Sequence, residues 1–419
     1  MKKSLFAVAA MTAFAGAAQA QSSVSVSGVI DEGYTSVQQK IGQAGVSAGA
    51  TSGVATKTAQ GLKDSAWTSN RLIFAGNEDM GGGMKTMFYV ESGLSIASSS
   101  PEQGGLGGTG AGNNAPGPLG NVRQAFLGLG SAKYGNLTAG WQYTPEYFQR
   151  IGNIGGSANS LGIAATTASN GGIAVASRMT MDSMNSFKYE SPKFMNATFT
   201  AMVGTINSTT AANYNSSTTA SATAQTLNSA SVVGNTPVTQ TGLGQAYAVN
   251  WAAGNAQATV SYSKEAARNS STYSYVMGGQ SVDVLGNVLA FDTTQQNFMA
   301  SGSYDFGIVK LMGIAANRRL TTTSTGAVTN VDLFNVGAFV PVTPAIKLGA
   351  NYAYAHAGAS GKDSKNQAFQ TSVQYSLSKR TTAYVLASRA VSSSITAANV
   401  STSGITSANQ YSLGLAHTF

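Results

Sequence analysis

Charge is scarce in this chain: 24 Lys or Arg and 16 Asp or Glu among 419 residues, with no cysteine and two histidines. The chemistry open to it is correspondingly narrow. Without thiols there is no thiolate nucleophile, no thiolate metal site and no disulfide framework. His356 and His417 stand far apart near the ends of separate segments, and two distant imidazoles make neither a base with its partner nor a metal site. No Gly-x-Ser-x-Gly elbow with supporting residues is present. Catalysis, a bound metal and a cofactor are therefore not expected. What remains is electrostatics. By residue alternation, Arg71 lies opposite Leu72 and Phe74, Lys85 opposite Phe88 and Val90, and Arg123 opposite Gln124 and Phe126. Glu91 shares the Lys85 face, and Lys188 shares that of Ser186. Ionised in water, such groups act on small ions by short-range attraction.

These charges need strands to hold them, and the sequence supplies strands throughout. The end of the chain shows the pattern: Tyr411, Leu413, Leu415, His417 and Phe419 alternate with Ser412, Gly414, Ala416 and Thr418. That is the period of a strand with one greasy and one mild face. Fifteen earlier segments behave alike, beginning with 24–37, 68–78 and 83–96 and ending with 366–377 and 380–391. The total of sixteen is even. Short turns such as 79–82, 131–133 and Gly254 alternate with long Gly/Ser/Thr/Ala/Asn segments such as 38–67, 97–121 and 206–242. That two-sided asymmetry marks a membrane β-barrel and not a sandwich. Several faces carry the apolar set: Phe199, Ala201 and Val203; Tyr247, Val249 and Trp251; Phe298, Ala300 and Tyr304; Leu348, Ala350 and Tyr352. In a barrel this face meets lipid, and the polar alternates line water.

Export is written at the start. Met1-Lys2-Lys3 precedes an apolar, uncharged stretch at 4–18 and the small-x-small triplet Ala18-Gln19-Ala20. This predicts a signal peptide over 1–20, with the barrel domain at 21–419. Less Lys2 and Lys3, the formal net charge of +8 becomes +6. The basic residues form no run, which argues against a nucleic-acid partner.

At this point specific motifs accumulate. Ser27-Gly28-Val29-Ile30-Asp31, Glu78-Asp79-Met80-Gly81-Gly82-Gly83-Met84-Lys85, Glu91-Ser92-Gly93, Arg123-Gln124-Ala125-Phe126-Leu127-Gly128-Leu129, Lys188-Tyr189-Glu190-Ser191-Pro192 and the terminal 413–419 follow one another in order. Together they resemble the Gram-negative general porins of the trimeric, sixteen-stranded superfamily, closest to the neisserial and burkholderial type. The resemblance implies an all-β, sixteen-stranded antiparallel transmembrane barrel in the outer membrane, with short periplasmic turns and long outer loops. It implies a water-filled channel for passive diffusion of ions and small hydrophilic solutes. It also implies that the third long loop, about 145–182, folds inward to form a constriction. That loop holds Glu146, Arg150, Arg178 and Asp182, facing Arg71, Lys85, Glu91, Arg123 and Lys188 on the wall. A homotrimer follows from the resemblance, supported by small residues such as Gly28 and Ala350 on the lipid face. Tyr411, Leu415 and Phe419 resemble the signal read by the barrel-assembly machinery.

The chain departs from that pattern at Trp141, at the single basic residue of 70–75, and at Ala416, each where the family usually has a further basic group. Any anion preference should therefore be weak. A structural or adhesin-type barrel, whose long loops bind partners, is the alternative reading.

Overall fold

The structure is a computed structural model, and it describes residues 23–42, 54–64, 67–94, 96, 119–153, 183–210, 238–270, 293–322, 326–359, 362–396 and 404–419. The expected signal peptide, and Arg178 and Asp182 of the third loop, lie outside these residues. In chain order the strands are β1 (Ser23–Gly42), β2 (Val54–Asp64), β3 (Arg71–Gly81), β4 (Met84–Leu94), β5 (Leu119–Ser131) and β6 (Gly135–Tyr143). A helix, α1 (Pro145–Asn153), follows. Then come β7 (Ser183–Glu190), β8 (Ala197–Thr210), β9 (Val238–Ala253), β10 (Ala256–Ser270), β11 (Thr293–Asp305) and β12 (Lys310–Thr322). The last are β13 (Ala327–Pro341), β14 (Ile346–Ala359), β15 (Lys362–Ser376), β16 (Thr381–Thr396) and β17 (Gly404–Thr418).

These segments form one antiparallel sheet in which consecutive segments pair, except β2 with β3, and β1 pairs with β17 to close it. Seventeen segments occupy sixteen positions. β2 pairs with Glu32–Gly42 of β1, whereas β3 pairs with Ser23–Val29 on the same edge. They are one wall position, with the pairing to β1 ending at Asp64 and resuming at Arg71.

The interruption is held by a buried acid. Asp31, on the inward face of β1, accepts hydrogen bonds from the backbone N–H of Trp67 at 2.6 Å and of Thr68 at 2.5 Å. The Tyr384 hydroxyl donates to its other oxygen at 2.6 Å, and the Asp31 N–H donates to Asn70 Oδ1 at 2.5 Å. Trp67 packs at 5.5 Å against the Tyr384 ring. The chain thus leaves the wall, satisfies its backbone on Asp31, and re-enters as β3.

The expectation that 38–67 is one outer loop is corrected here. Pairing continues to Gly42 and resumes at Val54. In this part of the wall polar residues stand on both faces, as in Gln38, Gln39 and Lys40, so no apolar period betrays the strand.

The faces sort as a barrel in lipid requires. Phe199, Val203, Tyr247, Val249, Trp251, Phe298, Tyr304, Leu348 and Tyr352 are exposed on the outside, while Gln142, Asn335, Asn351, Gln370 and Ser412 are buried inside. Apolar exposure on this scale suits hydrocarbon and not water. The inward face is not polar throughout. Met299, Ile314, Leu333, Ala353, Ala355, Ala368 and Ala390 form a buried apolar strip across β11–β16. Alanine alternating with tyrosine in β14 hid this strip, because the larger side chains dominate the pattern.

Turn chemistry closes the short end. Gly254 (φ 56°) and Gly307 (φ 83°) adopt the left-handed conformation that glycine takes without strain, and Asp305 Oδ1 accepts from the Gly307 N–H at 2.8 Å.

The terminal strand seals the barrel through its last residue. The Phe419 N–H donates to the Gly28 carbonyl, and the Gly28 N–H to the Phe419 carbonyl, both at 3.1 Å. A Cβ on Gly28 would lie 2.5 Å from both the Phe419 ring and the Arg71 carbonyl. Gly28 is therefore not an open small-residue patch for a neighbouring barrel, because the ring of Phe419 covers it. Ala350 does stand exposed on the outer face. We expect Gly28→Val to lower the amount of folded, heat-modifiable barrel severalfold on unheated gels, because the Arg71 carbonyl cannot yield without moving the strand. Wild-type levels would show that the seam relaxes.

Candidate constriction in the barrel lumen

The inward-folding loop begins as a helix. Thr144 precedes Pro145, whose missing N–H costs nothing at the first helical position, and Glu146 adds negative charge to the first turn. A nine-residue helix is about 14 Å long, and α1 stands inside the wall with its middle turn tied to strands on two sides. It leaves β6 and reaches β10 and β11 beyond three intervening strands. There Gln149 Nε2 donates to the carbonyls of Thr259 at 2.8 Å and Met299 at 3.2 Å, and Ser261 Oγ donates to Gln149 Oε1 at 2.6 Å.

On its other side, α1 and the strand end that leads into it are tied to an ion pair. Arg123 Nε donates to Glu91 Oε1 at 2.7 Å and to the Tyr143 hydroxyl at 2.8 Å, while its Nη2 donates to the Tyr147 hydroxyl at 3.2 Å. Glu91 accepts further from Tyr89 at 3.1 Å, Tyr143 at 3.3 Å and Gln124 Nε2 at 3.3 Å. The Tyr143 and Tyr147 rings stack at 3.8 Å. Arg123 and Glu91 are only 2% and 4% exposed. Together these groups join β4, β5, β6 and α1. A buried pair of this kind contributes only when its remaining donors and acceptors are satisfied, and here tyrosines and an amide supply most of the partners.

A bulge makes the arrangement possible. Between Glu91 and Ser92 of β4 the register shifts, so that Glu91 faces Gln124 and Ser92 faces Val122. Arg123 is the extra residue, and it turns inward beside Gln124 while Val122 stands 53% exposed outside. The expectation that Gln124 and Phe126 face lipid is therefore corrected. Gln124 is buried and accepts from the Tyr143 N–H at 3.1 Å, and Phe126 stacks on Tyr89 at 5.3 Å.

The other sequence-derived site residues fall at different heights. Arg71 opens β3 on the inward face, paired with Gly93 two positions from the Glu91 level, and its Nη1 lies 3.5 Å from the Ser69 carbonyl. Lys85 faces inward but is exposed near the short-turn end of β4. Six residues along the strand separate it from Glu91, about 20 Å. Glu146 is buried in the first turn of α1, and Arg150 lies in the same helix. Lys188 points inward from β7, its Nζ 5.6 Å from the Phe126 ring centroid and 5.7 Å from that of Phe148. Tyr411, Leu415 and Phe419 all stand exposed on the outside or at the seam. Tyr89, Gln124, Tyr143, Tyr147, Phe148 and Gln149 were not singled out from the sequence. The run Thr144-Pro145-Glu146 is a helix-start signal that could have led to four of them.

Comparison with known proteins agrees with this architecture. An anion-selective porin from Comamonas acidovorans superposes with a TM-score of 0.61 at 20% identity, over 95% of this chain and all of that one. The trimer form of OmpT from Vibrio cholerae gives 0.56 at 14% identity, over 95% and 99% of the two chains. Among curated proteins, an outer membrane porin protein of Bordetella pertussis is 30% identical over 198 residues, which spans 46% of each chain, just under half of that relative's length. The description of Gram-negative porins matches residues 7–393, most of the sequence. That match covers well over half of the chain, and the chain belongs to the Gram-negative porin family.

Proposed function

We propose that this barrel is an outer-membrane channel through which ions and small hydrophilic solutes diffuse passively, with a weak preference for anions. The observation that carries the reading is α1, anchored to β6 by the Arg123–Glu91 pair and to β10–β11 by Gln149. A helix tied to two parts of the wall narrows the lumen between them. Lys188 and Arg71 on the inward wall, with Lys85 nearer the short-turn mouth, supply positive charge against a largely neutralised Glu91, and ion preference in such pores follows the lining charge. The name of the Comamonas neighbour points the same way. Arg150, Arg178 and Asp182 belong to the same constriction on this reading.

Planar-bilayer recording tests it. Stable open steps in KCl, with a reversal potential in a salt gradient that favours chloride modestly, are expected. An electrically silent barrel would support a structural or adhesin role instead. Export by the signal peptide at 1–20 and recognition of Tyr411, Leu415 and Phe419 by the barrel-assembly machinery complete the reading. Deletion of Phe419 should lower assembled protein in the outer membrane while secretion across the inner membrane continues. The trimeric form of the OmpT neighbour supports a homotrimer seated in outer-membrane lipid. An SDS-resistant band that collapses on boiling is expected, and a monomer mass by native mass spectrometry in mild detergent would count against it.

A further inference from the structure

We propose that Lys188, together with Phe126 and Phe148, forms a selectivity cage that favours anions bearing an aromatic ring, with aryl carboxylates as the solute class. The proposal rests on the channel reading above and adds a solute class to it. Of the wall cations, Arg123 is committed to Glu91 and two tyrosines, and Lys85 lies far along its strand towards the short turns. Lys188 is placed differently. Its Nζ sits near two phenylalanine ring faces, at 5.6 and 5.7 Å, and among the described residues no carboxylate comes within 4.0 Å of it. Glu190 lies two residues further along the same inward face, at the exposed end of β7.

Ring faces attract an ammonium through their quadrupole but leave its unit charge uncancelled. Lys188 is half-buried on the inward face, and its uncancelled charge reaches a passing anion from there. Beside it, Phe148 is 47% exposed although Tyr143 and Tyr147 meet it edge-on at 5.8 and 5.7 Å. A flat apolar surface on a helix inside the wall thus adjoins a fixed cation. A carboxylate alone gains only the charge, and a neutral ring gains only the stacking. An aryl carboxylate gains both, its carboxylate near Nζ and its ring offset against Phe148.

The test is a permeability ratio. Wild-type protein in planar bilayers is bathed in potassium acetate on one side and potassium benzoate on the other, at equal concentration, and the reversal potential is read. Benzoate is the larger and slower ion, so free aqueous diffusion gives a benzoate-to-acetate ratio below one. A wild-type ratio above one is expected. Lys188→Met and Phe148→Leu should each lower it about threefold, the scale of one aromatic or charge contact, while single-channel KCl conductance stays within about twofold. Phe148→Leu should also leave the chloride-over-potassium preference unchanged, which separates stacking from charge. A wild-type ratio below one, or one that neither replacement moves, would overturn the cage. If Lys188→Met fails to assemble, the exposed Phe148→Leu carries the test alone. Absence of any KCl conductance in wild type would instead overturn the channel reading.

Discussion

Arg123→Met is expected to lower barrel stability by about 3–5 kcal/mol, the usual cost of leaving one member of a buried ion pair without its partner. Glu91 keeps its bonds from Tyr89, Tyr143 and Gln124 but loses the guanidinium at 2.7 Å, and Tyr147 loses the hydrogen bond from Arg123 Nη2. The near end of α1 is then held by fewer groups, so open-channel current should become noisier. Selectivity should shift towards cations as well, since removing Arg123 exposes the charge of Glu91. The double replacement Arg123→Met with Glu91→Gln discriminates two causes. If the pair is a neutral anchor, the double variant restores the original reversal potential and recovers part of the stability, with a coupling of about 2 kcal/mol or more. If Arg123 acts on ions as a free lumen charge, the cation shift persists in the double variant. Urea titration followed by the heat-modifiable band measures the first quantity, and bilayer recording the second.

The distance between those two roles shows what the sequence could and could not disclose. Wherever one face meets lipid, alternation is strict, and residues such as Phe298, Ala300 and Tyr304 reveal both strand and orientation. That information ends where the wall is wet on both sides. β2 has Thr56, Thr58 and Gln60 where a lipid face would be apolar, and it reads as loop although its backbone pairs with β1 over eleven positions. The bulge at Arg123 is hidden for a different reason. A single inserted residue reverses the face of everything beyond it, and nothing local to Val122-Arg123-Gln124 records that β4 shifts register opposite. The Arg123–Glu91 pair joins residues 32 apart in sequence, and Gln149 reaches Met299 across 150. Such contacts depend on barrel closure and on the path of α1. They are properties of the assembled wall, not of either segment.

The second large effect is expected at Asp31, which is fully buried. Its carboxylate accepts from the Trp67 and Thr68 N–H groups and from the Tyr384 hydroxyl, at 2.6, 2.5 and 2.6 Å. Hydrogen bonds to a charged acceptor contribute about 1.5–3 kcal/mol each, and stranded buried donors cost a comparable amount. These contributions overlap, so Asp31→Ala should destabilise by about 3–5 kcal/mol and not by their sum. Tyr384→Phe removes one donor and leaves both backbone bonds, so about 1–2 kcal/mol is expected. Asp31→Asn keeps the shape and an acceptor oxygen but loses the charge, and should fall between the two. The loss should also be local at first. Asp31 satisfies the backbone N–H groups of Trp67 and Thr68 where they leave the strand path, so Asp31→Ala should open the β2–β3 junction before the barrel unfolds. Trypsin then gains access to Lys63 at the end of β2, at temperatures where the heat-modifiable band is still intact. Equal losses from Tyr384→Phe and Asp31→Ala, or cleavage at Lys63 appearing only with global unfolding, would mean that this acid supports the barrel as a whole and does not hold the strand break in particular.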